Sequence, residues 1–323
     1  MSLQWLLPTD TERQAKDLRN RVQAYLSWAE AEQVTVFDLR LEDYSRYLLE
    51  ARQFAPNSVR AHVSTLRGRL SAMLEDKTLQ RQLAEQHYSP DDIERIIGRV
   101  HEALTAPIEP APPRQQPRHK HLTTADIQQL LDRLDVSTLT GLRDAALIAL
   151  MVCTGIREQE VRALDMGDLV QEVNGERMLH VPKGVGCTER LIPYGKRAWV
   201  LQIVQAWLQA AGITEGAVFR GFYKTGKRVR KTRLSSQSIE DVLAGYPIII
   251  NGEPVTLKPL DLRHAFARYL YGWGVSLNTL SDYLGVKSAS TIMRYLGRVR
   301  SPGRARVPLQ FDLEKLDRWL SDT

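Results

Sequence analysis

The sequence predicts a mainly α protein with a small β-hairpin or sheet, built as a helical domain followed by an α+β domain. Three observations predict it. A proline-rich stretch splits the 323 residues about a third of the way along. Apolar residues recur at helical spacing on both sides of it. Short β-like runs flank one glycine-rich turn in the second part. A composition of 43% hydrophobic and 25% charged residues is ordinary for globular proteins and excludes disorder over most of the chain.

Residues 1–105 read as helices. Thr11 to Glu30 and Phe37 to Arg52 carry apolar residues at helical spacing. A third helix follows Ala55-Pro56-Asn57, with Ser58 as its N-cap. Val59, Val63, Leu66, Leu70 and Leu74 form its core stripe, while Arg60, Ser64, Arg67 and Ser71 form a basic, small-polar stripe. Such a stripe can enter a DNA major groove, where arginine reads guanine or grips phosphate; the competing reading is a solvated helix face. A weaker helix, Pro90 to Ala103, leads out.

Residues 106–121, APIEPAPPRQQPRHKH, form a linker whose five prolines forbid regular helix and favour an extended chain. Its basic end makes His119 and Lys120 candidate DNA contacts.

The second domain spans residues 122–300. A helix opens at Thr123 and runs to about Leu134. Leu142 to Cys153 is apolar on most faces, so it belongs at the domain centre. Thr154-Gly155 breaks it before a helix from Arg157 to Leu164. Met178 to Val181 and Glu189 to Tyr194 read as strands around Gly184-Val185-Gly186, with Lys183 at the hairpin tip. Helices follow at about Ala198 to Ala211 and Ser236 to Leu243. Between them, Arg220 to Arg233 holds seven basic residues in fourteen and reads as an exposed loop or hairpin, making Lys227, Arg228, Arg230 and Lys231 candidate DNA contacts. Residues 301–323 are a tail with a short helix, Asp312 to Leu320, whose apolar stripe must pack on its own domain or on a neighbouring protomer.

The net charge of +6 and pI near 9.3 suit either a polyanionic partner or a basic solvated surface. The N-terminus lacks the basic start and apolar run of a signal peptide, and no stretch approaches a membrane span, so a cytoplasmic, nucleoid-associated protein with no membrane partner is expected. Cys153 and Cys187 offer neither metal-ligand spacing nor a disulfide framework, and no metal or other cofactor is expected.

Attack on a phosphodiester needs a nucleophile, cations on the non-bridging oxygens and a proton donor for the leaving alkoxide. Three blocks supply candidates. In the first, Arg157 follows the buried helix directly, with Glu160 three residues on. In the second, Leu262, Ala265, Phe266, Tyr269 and Leu270 make a core face beside Arg263. In the third, Leu284-Gly285 turns the chain into a short helix bearing Tyr295. Singly each block is weak, since arginines near apolar stripes are usually surface residues and tyrosines usually fill cores.

As an ordered set, TGIRxxE, a hairpin lysine, LRHxFA and LG followed by tyrosine resemble the signature of the tyrosine recombinases, or phage integrases, over roughly residues 122–300. The resemblance implies a two-domain DNA clamp with a core-binding domain before the linker. It implies that Arg157 and Arg263 hold the scissile phosphate, Lys183 protonates the 5′-oxygen, and Tyr295 forms a 3′-phosphotyrosyl link, with Glu160 supporting the site from behind. The partners implied are double-stranded DNA carrying paired recombination sites, further copies of the chain in a dimer or tetramer, and an accessory DNA-bending protein; the setting is integration or excision of a mobile element. Rejoining needs neither ATP nor metal, because the covalent link conserves the bond energy.

The sequence departs from the pattern twice. Leu260 stands where histidine is usual, three residues before the second arginine, and Val286 stands where histidine or tryptophan follows the leucine–glycine pair. His264, also assigned to the surroundings of the site, is expected to face elsewhere on its helix, and Lys258 is a further compensating candidate. Two alternatives stand beside the recombinase: a DNA-binding relative with weak or partner-dependent cleavage, and a type IB topoisomerase-like or resolvase activity.

Overall fold

The computed structural model describes residues 3–7, 16–105, 120–184, 188–223, 228–297 and 308–315. The chain divides into two compact units, Met1–Pro117 and Arg118–Thr323.

The first unit is helical: α1 (Lys16–Ala31), α2 (Leu41–Glu50), α3 (Pro56–Glu75), α4 (Thr78–Glu85) and α5 (Pro90–Thr105). Its centre is aromatic. The Tyr25 and Tyr44 rings meet edge to face at 5.2 Å, and Trp28 lies 5.1 Å from Tyr44. The α3 core stripe is as read, except that Leu74 is only partly buried. Its N-cap is Ala55 with Pro56 in the first turn, not Ser58; proline there costs no hydrogen bond, because that N–H has no helical partner anyway. The α4 helix was not anticipated. It is one short amphipathic segment after the Asp76-Lys77 turn, held by buried Leu79 and Leu83.

The second unit begins with α6 (Thr124–Asp132), opened by a capping box between Thr123 and Asp126. Next come α7 (Leu139–Thr154) and α8 (Glu158–Ala163). Every residue of α7 from Gly141 to Thr154 is buried, as its all-round apolar character requires. A three-stranded antiparallel sheet follows, β1 (Gln171–Val173), β2 (Glu176–Val181) and β3 (Arg190–Pro193), in the order β1-β2-β3. The expected hairpin is β2–β3, with Leu179 opposite Ile192 and Val181 opposite Arg190.

The α9 helix (Val200–Ala210) packs on α7. The basic stretch forms a hairpin of β4 (Arg220–Phe222) and β5 (Val229–Arg233), followed by α10 (Ser236–Ala244). A second, unanticipated hairpin joins β6 (Ile248–Ile250) and β7 (Glu253–Val255) through Asn251-Gly252, both at positive φ. Three helices complete the unit: α11 (Pro259–Gly272), α12 (Leu277–Leu284) and α13 (Ala289–Leu296).

Residues 308–315 lie against their own unit. Phe311 stacks on Trp199 at 6.1 Å, Trp199 donates to the Leu309 carbonyl at 3.1 Å, and Gln128 and Gln310 bond each other at 3.0 and 3.2 Å. Leu316, Trp319 and Leu320 lie outside the described residues. No described helix is long and apolar enough to cross a membrane.

One side-chain clip ties β2 to the segment ahead of β1 and to the residue that leads into β3. His180 on β2 bonds Asp168 through Nδ1 at 2.7 Å and Glu189 through Nε2 at 3.1 Å. The Asp168 hydrogen bond leads in raising the His180 pKa, with Glu189 adding to it against a smaller effect of burial. A raised folded-state pKa means that the stabilisation is full below the unfolded value and vanishes as pH rises through the folded value. The melting temperatures of wild type and His180→Gln should therefore differ more at about pH 6 than at about pH 8.5. A gap constant over that range contradicts the clip.

Candidate active site

The site is organised by two helix ends. At the first, α7 stops at Gly155, which has φ +64°. A Cβ there would lie 2.3 Å from the Phe266 ring, so only glycine fits both the left-handed backbone and the close approach. The Gly155 carbonyl, left without a helical partner, accepts from Arg263 Nη1 at 2.8 Å. Two residues on, Arg157 caps α8, and its backbone N–H donates to Glu160 Oε2 at 2.7 Å.

At the second end, α12 stops at Gly285, with φ +57°. The Val286 N–H reaches back to the Ser281 carbonyl at 3.0 Å, closing the turn. The carbonyls left over are used by arginines: Tyr283 accepts from Arg190 Nε at 2.7 Å, and Leu284 accepts from Arg263 Nη2. A Cβ on Gly285 would lie 3.1 Å from Arg190 Nη1. The leucine–glycine pair thus lets a helix C-terminus, with its partial negative charge, close directly on two guanidinium groups.

Between these ends lies Glu160, 2% exposed. Arg190 binds it bidentately, Nη1 to Oε1 at 2.9 Å and Nη2 to Oε2 at 2.8 Å. Arg157 Nη1 adds a bond at 3.0 Å, and Arg263 Nη1 stands 3.8 Å away. Burial alone would push the Glu160 carboxyl up; the Arg190 bonds and charge, the Arg157 N–H and Arg263 more than reverse this and leave it at about 2. Burial and the neighbouring Arg157 lower the Arg263 pKa, while Tyr295 and Glu160 pull it back up.

Tyr295 sits on α13 and is 8% exposed. The Arg263 guanidinium carbon lies 5.5 Å from its ring centroid. The His264 ring packs on it at 4.5 Å, tilted by 37°. His264 therefore does not face elsewhere; it is buried against Tyr295, because α13 crosses α11 on the side that carries residue 264.

Arg157, Glu160, Arg263, His264 and Tyr295 come together. Lys183 is exposed two residues past β2. Leu260 is 39% exposed in the first turn of α11, and Val286 is partly buried after Gly285. Lys258 is exposed and caps α11. Among the candidate DNA contacts, Arg228 and Arg230 hold their guanidinium groups 5.7 and 5.4 Å from the exposed Tyr223 ring, and Lys231 is exposed on β5. Arg60 is half-buried. Arg67 is half-buried and donates to the Ala103 carbonyl at 3.1 Å, so part of the supposed free basic stripe on α3 is tied to the end of α5. Lys120 Nζ bonds the Thr256 carbonyl. His119 and Lys227 lie outside the described residues. Arg190 was missed, although strand alternation places it on the face of Ile192 and Tyr194, both buried.

Glu160→Gln leaves the buried Arg190 guanidinium without its counter-charge and should cost about 3–5 kcal/mol in stability, read from the urea midpoint at neutral pH. The wild type should lose the same contribution in acid. Its folded-state carboxyl lies at about 2 against an ordinary 4.5, so the stabilisation is complete above the ordinary value and disappears as pH falls through the folded one. An unchanged midpoint would show that the ion pair contributes nothing net.

The phage integrase family pattern matches residues 120–299 of the chain. Tyrosine recombinase XerC of Haemophilus ducreyi is 32% identical over 165 residues, 50% of this chain and 50% of that protein. XerC of Corynebacterium efficiens is 31% identical over 156 residues, 47% of this chain and 46% of that one. XerD of Xanthomonas axonopodis pv. citri is 31% identical over 165 residues, 50% and 52% respectively. The chain thus spans about half the length of the curated relatives it matches. Among solved structures, the Tn1549 transposon integrase in complex with transposon right end DNA aligns over 90% of this chain and 92% of its own, with TM-score 0.57 and 12% identity. A lambda integrase dimer bound to a COC′ core site aligns over 93% and 95%, with TM-score 0.52 and 17% identity. These likenesses are of fold. With more than half of its length matched by the family pattern, the chain belongs to the phage integrase family of tyrosine recombinases.

Proposed function

We propose that the chain is a site-specific DNA recombinase that cuts and rejoins double-stranded DNA through a 3′-phosphotyrosyl intermediate, in the integration or excision of a mobile element. The observation that carries this reading is the buried Glu160, which gathers Arg157, Arg190 and Arg263 beside Tyr295. A tyrosine surrounded this way has a use beyond packing, because guanidinium groups match phosphate oxygens bidentately and stay charged.

In the proposed reaction, Arg157 and Arg263 bind the non-bridging oxygens of the scissile phosphodiester. The Tyr295 hydroxyl oxygen attacks phosphorus as its proton passes to water, a new P–O(Tyr) bond forms, and the bond from phosphorus to the 5′-oxygen breaks. Lys183 delivers a proton to that leaving oxygen. Attack by a 5′-hydroxyl reverses the steps, frees Tyr295 and restores a phosphodiester. Arg228, Arg230 and Lys231 on the β4–β5 hairpin supply phosphate contacts away from the reacting atoms. The substrate reading commits to paired sites on duplex DNA, engaged by more than one copy of the chain.

A DNA-binding role with weak cleavage has Leu260 in its favour, since an exposed leucine in the first turn of α11 can neither move nor hold a proton. The two readings separate in a trapping experiment with nicked duplexes built from the DNA flanking the chain's own gene. A denaturant-resistant protein–DNA band should form, and Tyr295→Phe should abolish it. Tight binding without a band would support the binding role and sink the recombinase. Leu260→His should speed formation of the covalent complex by roughly tenfold or more, within the range a positioned proton-transfer group supplies. An unchanged rate would mean that proton transfer through this position does not limit the step.

A further inference from the structure

Arg268 has no place in the proposed chemistry, yet it touches the backbone of the nucleophile. It stands on α11, half-buried, five residues beyond Arg263. Its Nη1 donates to the Tyr295 carbonyl at 3.2 Å, and its Nη2 donates to the Lys120 carbonyl at 3.2 Å. The Tyr295 carbonyl is among the last four of α13, which no later helical N–H can satisfy. One planar guanidinium therefore ties the end of the tyrosine helix to the stretch by which the chain enters its second unit.

That incoming stretch is itself pinned. The Lys120 N–H donates to Asp261 Oδ1 at 3.2 Å, while Asp261 Oδ2 accepts the Lys258 N–H at 2.9 Å and so caps α11. Lys120 Nζ reaches the Thr256 carbonyl. His121 presses on Gly297, the residue that ends α13 with φ +64°; a Cβ there would lie 2.4 Å from the His121 ring. Two independent contacts thus join residues 120–121 to the end of α13: the Arg268 bridge and the His121–Gly297 approach.

Among the described residues Arg268 has no carboxylate bound to it; its Nη partners are carbonyls, and its Nε is buried without a partner. The two carbonyls, with the Asp261 charge acting on the guanidinium beyond them, offset the cost of burying this cation only in part, so stability alone is a poor account of it. The geometry points to Arg268 as a positioning residue: it makes residues 120–121 and the α13 helix move as one body, so that the placement of Tyr295 follows the placement of the chain entering the catalytic unit. This rests on the proposed role of Tyr295.

The test has two readouts. In hydrogen exchange of the full, DNA-free protein, Arg268→Ala, which removes the bridge, and Lys120→Pro, which removes the main-chain N–H held by Asp261 and the Nζ bond to Thr256, should each speed exchange of the α13 amides by roughly tenfold, because local opening becomes easier when the strap is cut or its far end is released. Lys120 does not touch α13 directly, so a local capping role for Arg268 predicts no change there in Lys120→Pro; that result overturns the coupling. In covalent capture at saturating nicked DNA, Arg268→Ala should bind as wild type and react roughly 10- to 100-fold more slowly, the loss expected from a slightly misplaced nucleophile. Arg268→Lys keeps the cation and stem and should fall between the two, which guards against a folding failure of the alanine variant. Capture by Arg268→Ala at the wild-type rate overturns the positioning role. If the wild type forms no covalent complex, the recombinase reading fails, and the exchange data still decide whether the strap exists.

Discussion

The site depends on one buried carboxylate. Glu160 is inside the protein, and it keeps its charge only because Arg190 meets it with two parallel hydrogen bonds while Arg157 and Arg263 stand close by. The dependence runs both ways. Arg190 and Arg263 are themselves buried side chains, and neither could remain there without an anion between them. Remove the carboxylate and two guanidinium groups would have to find water, which would move α8, β3 and the end of α12 together. The position of Tyr295 follows, because Arg263 and His264, consecutive on α11, form two walls around its ring.

The same constraint explains why two glycines flank the cluster. A guanidinium satisfies its N–H groups most cheaply on carbonyls that have no other donor, and helix C-termini provide these. Ending α7 and α12 in the left-handed conformation turns those carbonyls toward the arginines, and the missing Cβ atoms admit Phe266 at Gly155 and Arg190 at Gly285. The TGIR and LG runs are therefore devices for backbone approach as much as carriers of side chains. Glycine at these positions is used for its conformation and its smallness at once.

How much of this was legible in the sequence varies with the physical signal. The buried α7 helix was plain because an apolar run on every face has only one comfortable place. The ordered set of Arg157, Arg263 and Tyr295 was legible as a family likeness, and physics alone would have left each residue ambiguous. Arg190 was overlooked because Thr188-Glu189-Arg190 reads as a polar lead into a strand; only the alternation with Ile192 and Tyr194 marks it as inward-facing. The β6–β7 hairpin carried an Asn-Gly signal in a short run that could equally have been loop. His264 could not be placed from its own helix, since what it touches is set by how α13 crosses α11, a long-range packing fact.

Counting charge at the centre gives a physical reason for a cluster with this composition. Arg157, Arg190 and Arg263 contribute three positive charges and Glu160 one negative, a formal balance of 3 − 1 = +2. A phosphodiester brings about one negative charge, and the five-coordinate state formed when a tyrosine oxygen adds to phosphorus carries about two on its non-bridging oxygens. In the proposed reaction the preorganised field thus matches the transition state better than the substrate, which is the condition for lowering a barrier rather than merely binding. Leu260 and Val286 leave that field intact, since neither position carries one of its charges. In the proposed reaction these two positions bear on proton handling and on one phosphate hydrogen bond, so the defect expected from them is in the speed of the step and not in its pathway.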